Sequence, residues 1–414
     1  MASDLKRFVN ARFIRTVDLG LLTRVFERHG LALTDISSAT LFGDPDSTRL
    51  HTDLLAFLAR SDEVCPDALV SDLHRIAELG TAEGLEILLQ EAGRSQVRVV
   101  TCSGAEERDE DPKHVALRMF LDHPDVFNAA SDMATYRSRT SLSEFVGEAE
   151  GVEAVVDETS MPAFEQAAGA LFAADLRGNY CRVGTYEDGD EVVLIVTYGA
   201  YYSTHPVLTK DHREEIPSFR MLEQAVLAYD ASRGLLKVGG VSQSRRVDMA
   251  DLFATHFLKK PEFFAAEDAQ NLYTLESIER AGFDFVFEHR YDPTIARVRI
   301  TEIGVDAVQV DPSTGKQKVA YSLILRDKAD RSLARLGPHL LGERLGLMWK
   351  ISHIGIKVHF RTEGARDRVV PVKIKPPRAA IFKRQAYEAR IMTLLRKNGL
   401  LHDRNAASAS VAAE

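Results

Sequence analysis

Tyr180-Cys-Arg-Val-Gly-Thr-Tyr186, then Glu187-Asp-Gly-Asp190, then Glu191-Val-Val-Leu-Ile-Val-Thr-Tyr198 is the stretch on which the fold class turns. Two runs carrying β-branched and aromatic residues flank a short polar turn, and Gly189 can take the positive φ that such a turn needs. That combination predicts a β-hairpin. The pattern recurs downstream. Val226–Asp230 and Leu235–Val238 flank Ala231-Ser-Arg-Gly234, and Phe283–His289 and Ile295–Ile303 flank Arg290-Tyr-Asp-Pro-Thr294. Val319–Arg326 reads as one further strand, and helix returns over Val247–Lys259. Hairpins imply antiparallel pairing, so this part of the chain reads as α+β rather than a doubly wound parallel sheet.

Upstream of the hairpins the period is helical. Asp18 is placed to cap a helix over Leu19–His29, with Leu21, Leu22, Val25 and Phe26 on one face. Further helices are expected through Leu50–Arg60, after Pro66, after Thr81, from Pro112 and after Pro124. Val97–Val100 is a candidate single strand. Between Ser141 and Glu165 stand seven carboxylates. The expected organisation is a mostly helical domain over 1–140, an acidic linker over 141–165 and an α+β domain with antiparallel hairpins over 166–345. A basic hairpin–helix module over 346–400 and a disordered tail over 401–414 complete it.

A chain of 414 residues exceeds the size at which one core stops growing, which predicts several domains. With 45% hydrophobic and 27% charged residues it has the composition of a folded globular protein. No run approaches the ~18 apolar residues of a membrane span, and no apolar h-region follows the first basic residues. Its three cysteines, Cys65, Cys102 and Cys181, form no CxxC pair. A cytoplasmic protein without a membrane partner is the expectation.

The formal net charge is −9, unevenly spread. Lys350–Leu400 holds 13 Lys or Arg against Glu363, Asp367 and Glu388, a net of +10; with −1 in the tail, this leaves −18 on residues 1–349. Such asymmetry points to a nucleic-acid-facing end. In Ile356–Arg361, Ile356, Val358 and Phe360 alternate with Lys357, His359 and Arg361. Val370, Val372 and Ile374 alternate likewise with Lys373 and Lys375. Paired as a hairpin, the two strands put all five basic side chains on one sheet face. A helix over Arg378–Asn398 would follow Pro376-Pro377, with Lys383, Arg390 and Lys397 in one stripe and Gly399 as its αL cap. A phosphate backbone, a protein surface and plain solvent are the three occupants this face could have, and nucleic acid is favoured among them.

Catalytic motifs fare worse. Pro312-Ser-Thr-Gly-Lys-Gln317 lacks the first Walker glycine and the Ser or Thr after Lys, so it reads as a turn between strands. Gly240-Val-Ser242-Gln-Ser244 lacks the second glycine of a nucleophile elbow. No histidine spacing supplies three or four converging zinc ligands, and no cofactor or metal is expected. Asp292, Glu302 and Asp306 are the nearest approach to a divalent-metal nuclease site, but no Lys follows two residues after either later acid. Tyr198, Tyr201 and Tyr202 could stack bases, or could simply pack a strand end.

The leading reading is a non-enzymatic protein that binds DNA or RNA backbone through its basic end and a protein partner through its helical N-terminal region. A bacterial genome-defence accessory component would be built this way. The alternatives are a scaffold or adaptor subunit docking through the basic end, and a metal-dependent nuclease.

Overall fold

The computed structural model describes residues 16–31, 54–58, 65–99, 111–209, 213–310, 315, 317–327, 332–340, 345–346, 348–362, 367–383 and 387–402. Within them the chain is α+β, with helices and antiparallel sheets in two compact units. The first unit takes the described residues up to Tyr136 together with those of Ser203–Phe219; the second takes Arg137–Tyr202 and the described residues from Arg220 onward.

The first unit is helical because its caps and apolar stripes agree. Helix α1 (Leu19–Arg28) starts where the Asp18 carboxylate accepts from Leu21 N, and buries Leu21, Leu22, Val25 and Phe26. It ends where Gly30 turns at φ +73° and Leu31 N reaches Phe26 O at 3.1 Å, a left-handed cap that an L residue resists. Residues 54–58 are helical; the rest of the helix expected over Leu50–Arg60 lies outside the described residues. Pro66 precedes α2 (Asp67–Leu79), and the Thr81 hydroxyl caps α3 (Ala82–Arg94) by accepting from Gly84 N. Helices α4 (Pro112–Asp122) and α5 (Pro124–Ser138) both open on proline, whose missing N–H is one the first turn leaves unbonded anyway. Residues 97–99 form no strand, and Val100 lies outside the described residues.

The second unit holds two five-stranded sheets. In the first, β1 (Leu142–Val146), β2 (Cys181–Asp188), β3 (Glu191–Ser203), β6 (Phe219–Asp230) and β7 (Leu235–Gly239) lie in the order β1-β7-β6-β3-β2; β4 (Val207–Leu208) and β5 (Glu214–Glu215) pair in a small ladder that belongs to the first unit. Cys181 faces Tyr198 and Asp188 faces Glu191, which is the hairpin the sequence predicts. The β6–β7 hairpin turns at Gly234, φ +56°, with Asp230 accepting from Ser232 Oγ at 2.6 Å. One sheet face is covered by α6 (Ser160–Ala174) and α7 (Gln243–Phe253), so that Phe145, Phe164, Phe172, Tyr229 and Phe253 make one core. Fully burying each such ring stabilises by ~1.5–3 kcal/mol. Residues 141–165, expected as an acidic linker, are built otherwise: they carry strand β1 and the start of α6, and Leu142, Ser143, Glu144 and Phe145 are buried.

The second sheet has the order β12-β11-β10-β8-β9, from β8 (Ile295–Val310), β9 (Gln317–Arg326), β10 (Trp349–Phe360), β11 (Arg368–Lys375) and β12 (Ala379–Ile381). Its apolar face lies against α8 (Glu276–Ala281), α9 (Ser332–Leu336) and α10 (Glu388–Lys397) over a core that includes Ile303, Ile354, Ile374, Leu336 and Ile391. Two expectations are corrected here. Phe283–His289 is not a strand: Gly282–Asp284 is a single tight turn, Phe287 is buried in the core from a loop, and β8 pairs with β9 and β10 instead. The helix expected over Arg378–Asn398 is only Glu388–Lys397, because Ala379–Ile381 bonds back onto β11, with Ile381 opposite Lys373 and Ala379 opposite Lys375. Ala380 and Phe382 are buried by that pairing.

The C-terminal helix is anchored through charge. Lys237 on β7 is 2% exposed and donates to Glu191 at 2.5 Å and to Glu388, the first residue of α10, at 2.6 Å. Beside it, Tyr273 Oη donates to the buried Glu144 at 2.6 Å. Gly399 at φ +66° then closes α10, with Leu400 N on Leu395 O at 2.9 Å. Among the described residues no helix is long and apolar enough to cross a membrane.

Candidate functional site

The outer face of the second sheet follows from strand parity. On β10, Ile354, Ile356, Val358 and Phe360 go into the core, and on β11 Val370, Val372 and Ile374 do the same. Lys357, His359, Lys373 and Lys375 therefore share the other face, as alternation predicts. The register sets Ile356 opposite Val372 and Val358 opposite Val370. Strand β8 completes the face with residues that the reading of the basic end omits. Arg297 stands opposite His359 and Arg299 opposite Lys357. Their sequence signal is Arg297-Val-Arg299, two cations at period two in an apolar strand upstream of the basic segment.

The face divides into two halves. One is centred on Glu302. Its Oε1 accepts from Lys373 Nζ at 2.5 Å and from His353 Nε2 at 2.9 Å, and its Oε2 accepts from Arg326 Nε at 2.6 Å. His353 is 9% exposed, and its other nitrogen lies 3.3 Å from Ser352 Oγ. Burial alone would raise the Glu302 carboxyl. The hydrogen bonds from Lys373, Arg326 and His353 outweigh it and hold the group at about 2. Burial lowers His353 in turn, with the Glu302 carboxylate acting in the opposite sense. Two glycines make room for the cluster. Gly355 lies in register between Glu302 and Lys373, and a Cβ there would sit 3.0 Å from the Glu302 Cβ. A Cβ on Gly304 would sit 2.2 Å from His353.

The other half is the square Arg297, Arg299, Lys357 and His359. Arg299 and Lys357, directly opposite on paired strands, are like charges that repel. Burial, then Arg297 and Arg299, hold His359 below its ordinary range, with Asp367 acting in the opposite sense and Lys357 adding to the lowering.

The remaining expected residues do not all join this face. Arg361 follows β10 and its N–H donates to Thr294 O at 2.8 Å. Arg390 reaches Thr294 Oγ1 at 3.3 Å, and Lys397 Nζ lies 5.9 Å from the Tyr291 ring centroid. These three cations thus gather at the turn before β8. Lys383 is exposed after β12 and is not on α10, so the expected Lys383–Arg390–Lys397 stripe reduces to its last two members.

The other candidates resolve into packing. Asp292 accepts from Thr294 N at 2.9 Å and Asp306 from Ser322 Oγ at 2.6 Å, while Glu302 is taken up by cations. Among the described residues no three His, Cys, Asp or Glu side chains are placed to hold a metal ion. Tyr198 is buried, stacked on Phe172 at 3.9 Å, and its Oη donates to Glu223 at 3.0 Å. Tyr201 and Tyr202 are exposed, each with an arginine (Arg177 and Arg220) over its ring. No known protein family matches the sequence, and no curated protein is similar to it.

Proposed function

We propose that this chain is a non-enzymatic, nucleic-acid-associated protein whose second sheet binds the phosphate backbone of DNA or RNA across its outer face. The observation that supports the reading is the gathering of Arg297, Arg299, Lys357 and Lys375 on one sheet face, with Arg299 directly across from Lys357. Such a concentration of positive charge attracts a polyanion. Arg361, Arg390 and Lys397 extend the positive surface at its margins. Contacts of this kind release counterions and read no base, so affinity should fall steeply with salt and depend weakly on sequence.

The test is a mobility-shift titration of the full chain against mixed-sequence DNA and RNA over a salt series. The expected log–log slope on duplex DNA is about −3.6 to −5.4, from roughly four to six phosphate contacts at about −0.9 each. Absence of binding at low salt would overturn the reading. Equal affinity after Arg297, Arg299 and Lys357 all become Glu would do the same. A second reading, an adaptor subunit, draws on β9, an edge strand with Val319, Tyr321 and Ile324 each about half exposed. It predicts a salt-resistant protein complex lost on Ile324→Lys, with nucleic acid indifferent.

A further inference from the structure

Strand β9 is an edge of the second sheet, paired with β8 on one side only. Over Tyr321–Arg326 its register is regular, with Tyr321 opposite Ala307, Leu323 opposite Val305 and Leu325 opposite Ile303. Just beyond, Asp327 N donates to Thr301 O at 3.1 Å, which makes these two residues a hydrogen-bonded pair. Such pairs alternate along an antiparallel ladder, so Leu325, Leu323 and Tyr321 bond to β8. Ser322, Ile324 and Arg326 turn their N–H and C=O groups to the open edge, and among the described residues nothing bonds to them there.

Natural edges are blunted by charge, proline or a bulge. This one has a bulge at Ala320, where Tyr321 faces Ala307 and Val319 faces Val308, and then no charged residue until Arg326. Tyr321 and Ile324 are each more than half exposed. The side chains divide by face. Tyr321, Leu323 and Leu325 stand on the core side, and both leucines pack against the core. Ser322, Ile324 and Arg326 stand on the outer side, where Ser322 Oγ bonds to Asp306 and Arg326 to Glu302. The polar side chains of the edge are thus occupied, and what it still offers is backbone and apolar surface. An extended strand is the ligand that satisfies both.

We infer that the occupant is β9 of a second copy, paired antiparallel about a two-fold axis through Leu323. The sequence selects this register. Leu323 then faces its own counterpart, Tyr321 faces Leu325 of the second copy and Ile324 faces its Ser322, so apolar residues meet on the core side. The outward groups of Ser322 and Ile324 become two hydrogen-bonded pairs, about four bonds in all. A shift of one residue would set the apolar face of one copy beside the outer face of the other. An axis at Ser322 would set Lys318 opposite Arg326, and like charges directly opposite repel. An axis at Ile324 would set Tyr321 opposite Asp327. The contact is isologous, so it closes at the dimer and joins two five-stranded sheets into one. It commits the edge strand of the adaptor reading to one occupant, and it stands whether or not the outer face binds nucleic acid.

The experiment is sedimentation equilibrium of the full chain up to about 100 μM, a range set by the small area of one strand pair, with Ile324→Pro and Ile324→Lys alongside. The Ile324 N–H points to the open edge, so proline there removes an outward donor and leaves the β8 ladder whole. The expected result is a reversible monomer–dimer equilibrium that persists in high salt. Both variants should lose the dimer and keep the wild-type circular dichroism. A wild type that stays monomeric at ~100 μM overturns the inference and returns the edge to a foreign strand. Assembly beyond the dimer overturns it too, as does a dimer that survives both substitutions. Should the variants fail to fold, disulfide trapping decides. Position 323 faces itself across the axis, so Leu323→Cys should cross-link to a dimer on mild oxidation. Tyr321→Cys and the wild type, with its native thiols, should not. A Leu323→Cys protein that gives no cross-link refutes the pairing. None of these outcomes bears on the polyanion surface, which oligonucleotide binding reads separately.

Discussion

The two halves of the outer face have the same scaffold and opposite solutions to positive charge. Around Glu302 the sheet supplies its own carboxylate, and Lys373, Arg326 and His353 converge on it. Around Arg297 and Arg299 it sets a further cation, Lys357, directly across from Arg299. A count of lysines and arginines treats these halves as equal. The geometry separates cations that converge on one carboxylate from cations that face one another across the ladder.

The comparison can be broken most forcefully by reversing the charge of the Arg297 half. Arg297→Glu with Arg299→Glu should weaken oligonucleotide binding by ~100-fold or more at low salt and make the salt slope shallower by about 2, measured by anisotropy. Releasing the Glu302 half should act the other way. Glu302→Gln frees Lys373 and Arg326, and affinity should rise roughly tenfold with a slope steeper by about 1 to 2 in the same assay. Stability gives an independent check. Because the Glu302 carboxyl is depressed to about 2 in the folded chain, its contribution is complete above the unfolded value of 4.5 and fades as pH falls from there toward about 2. Urea midpoints across that window should decline less in Glu302→Gln than in the wild type. The smallest effect is reserved for Lys373→Ala, which should change affinity less than ~2-fold because its charge is already matched. A large loss there would erase the distinction between the halves.

Much of the fold was legible because local chemistry and tertiary structure agree. Asp18 and Thr81 cap the helices they precede, and the hairpins around Gly189 and Gly234 form as their turns demand. The face carrying Lys357, His359, Lys373 and Lys375 was legible for the same reason, since strand parity needs only neighbours. Failures came where long-range pairing overrode a local pattern. Ala379–Ile381 has helical composition, but β11 offers it an unpaired edge just after Pro376-Pro377. Phe285 and Phe287 resemble a strand, yet the core accepts them from a loop. The role of Glu302 was out of reach for a related reason. Its partners Arg326, His353 and Lys373 lie 24, 51 and 71 residues away, so no window of sequence holds the cluster. Spacing alone makes it a candidate metal ligand; its surroundings make it a counter-ion.

Gly355 carries a consequence for how such a surface could change over generations. Glu302 and Lys373 belong to strands two apart, ~9.6 Å between backbones, and they meet because the strand between them presents no side chain there. Any bulkier residue at this position stands in the path of their bridge. One codon therefore decides whether Lys373 stays tied to the Glu302 cluster or is released to solvent, while Arg326 and His353 keep their bonds to the carboxylate.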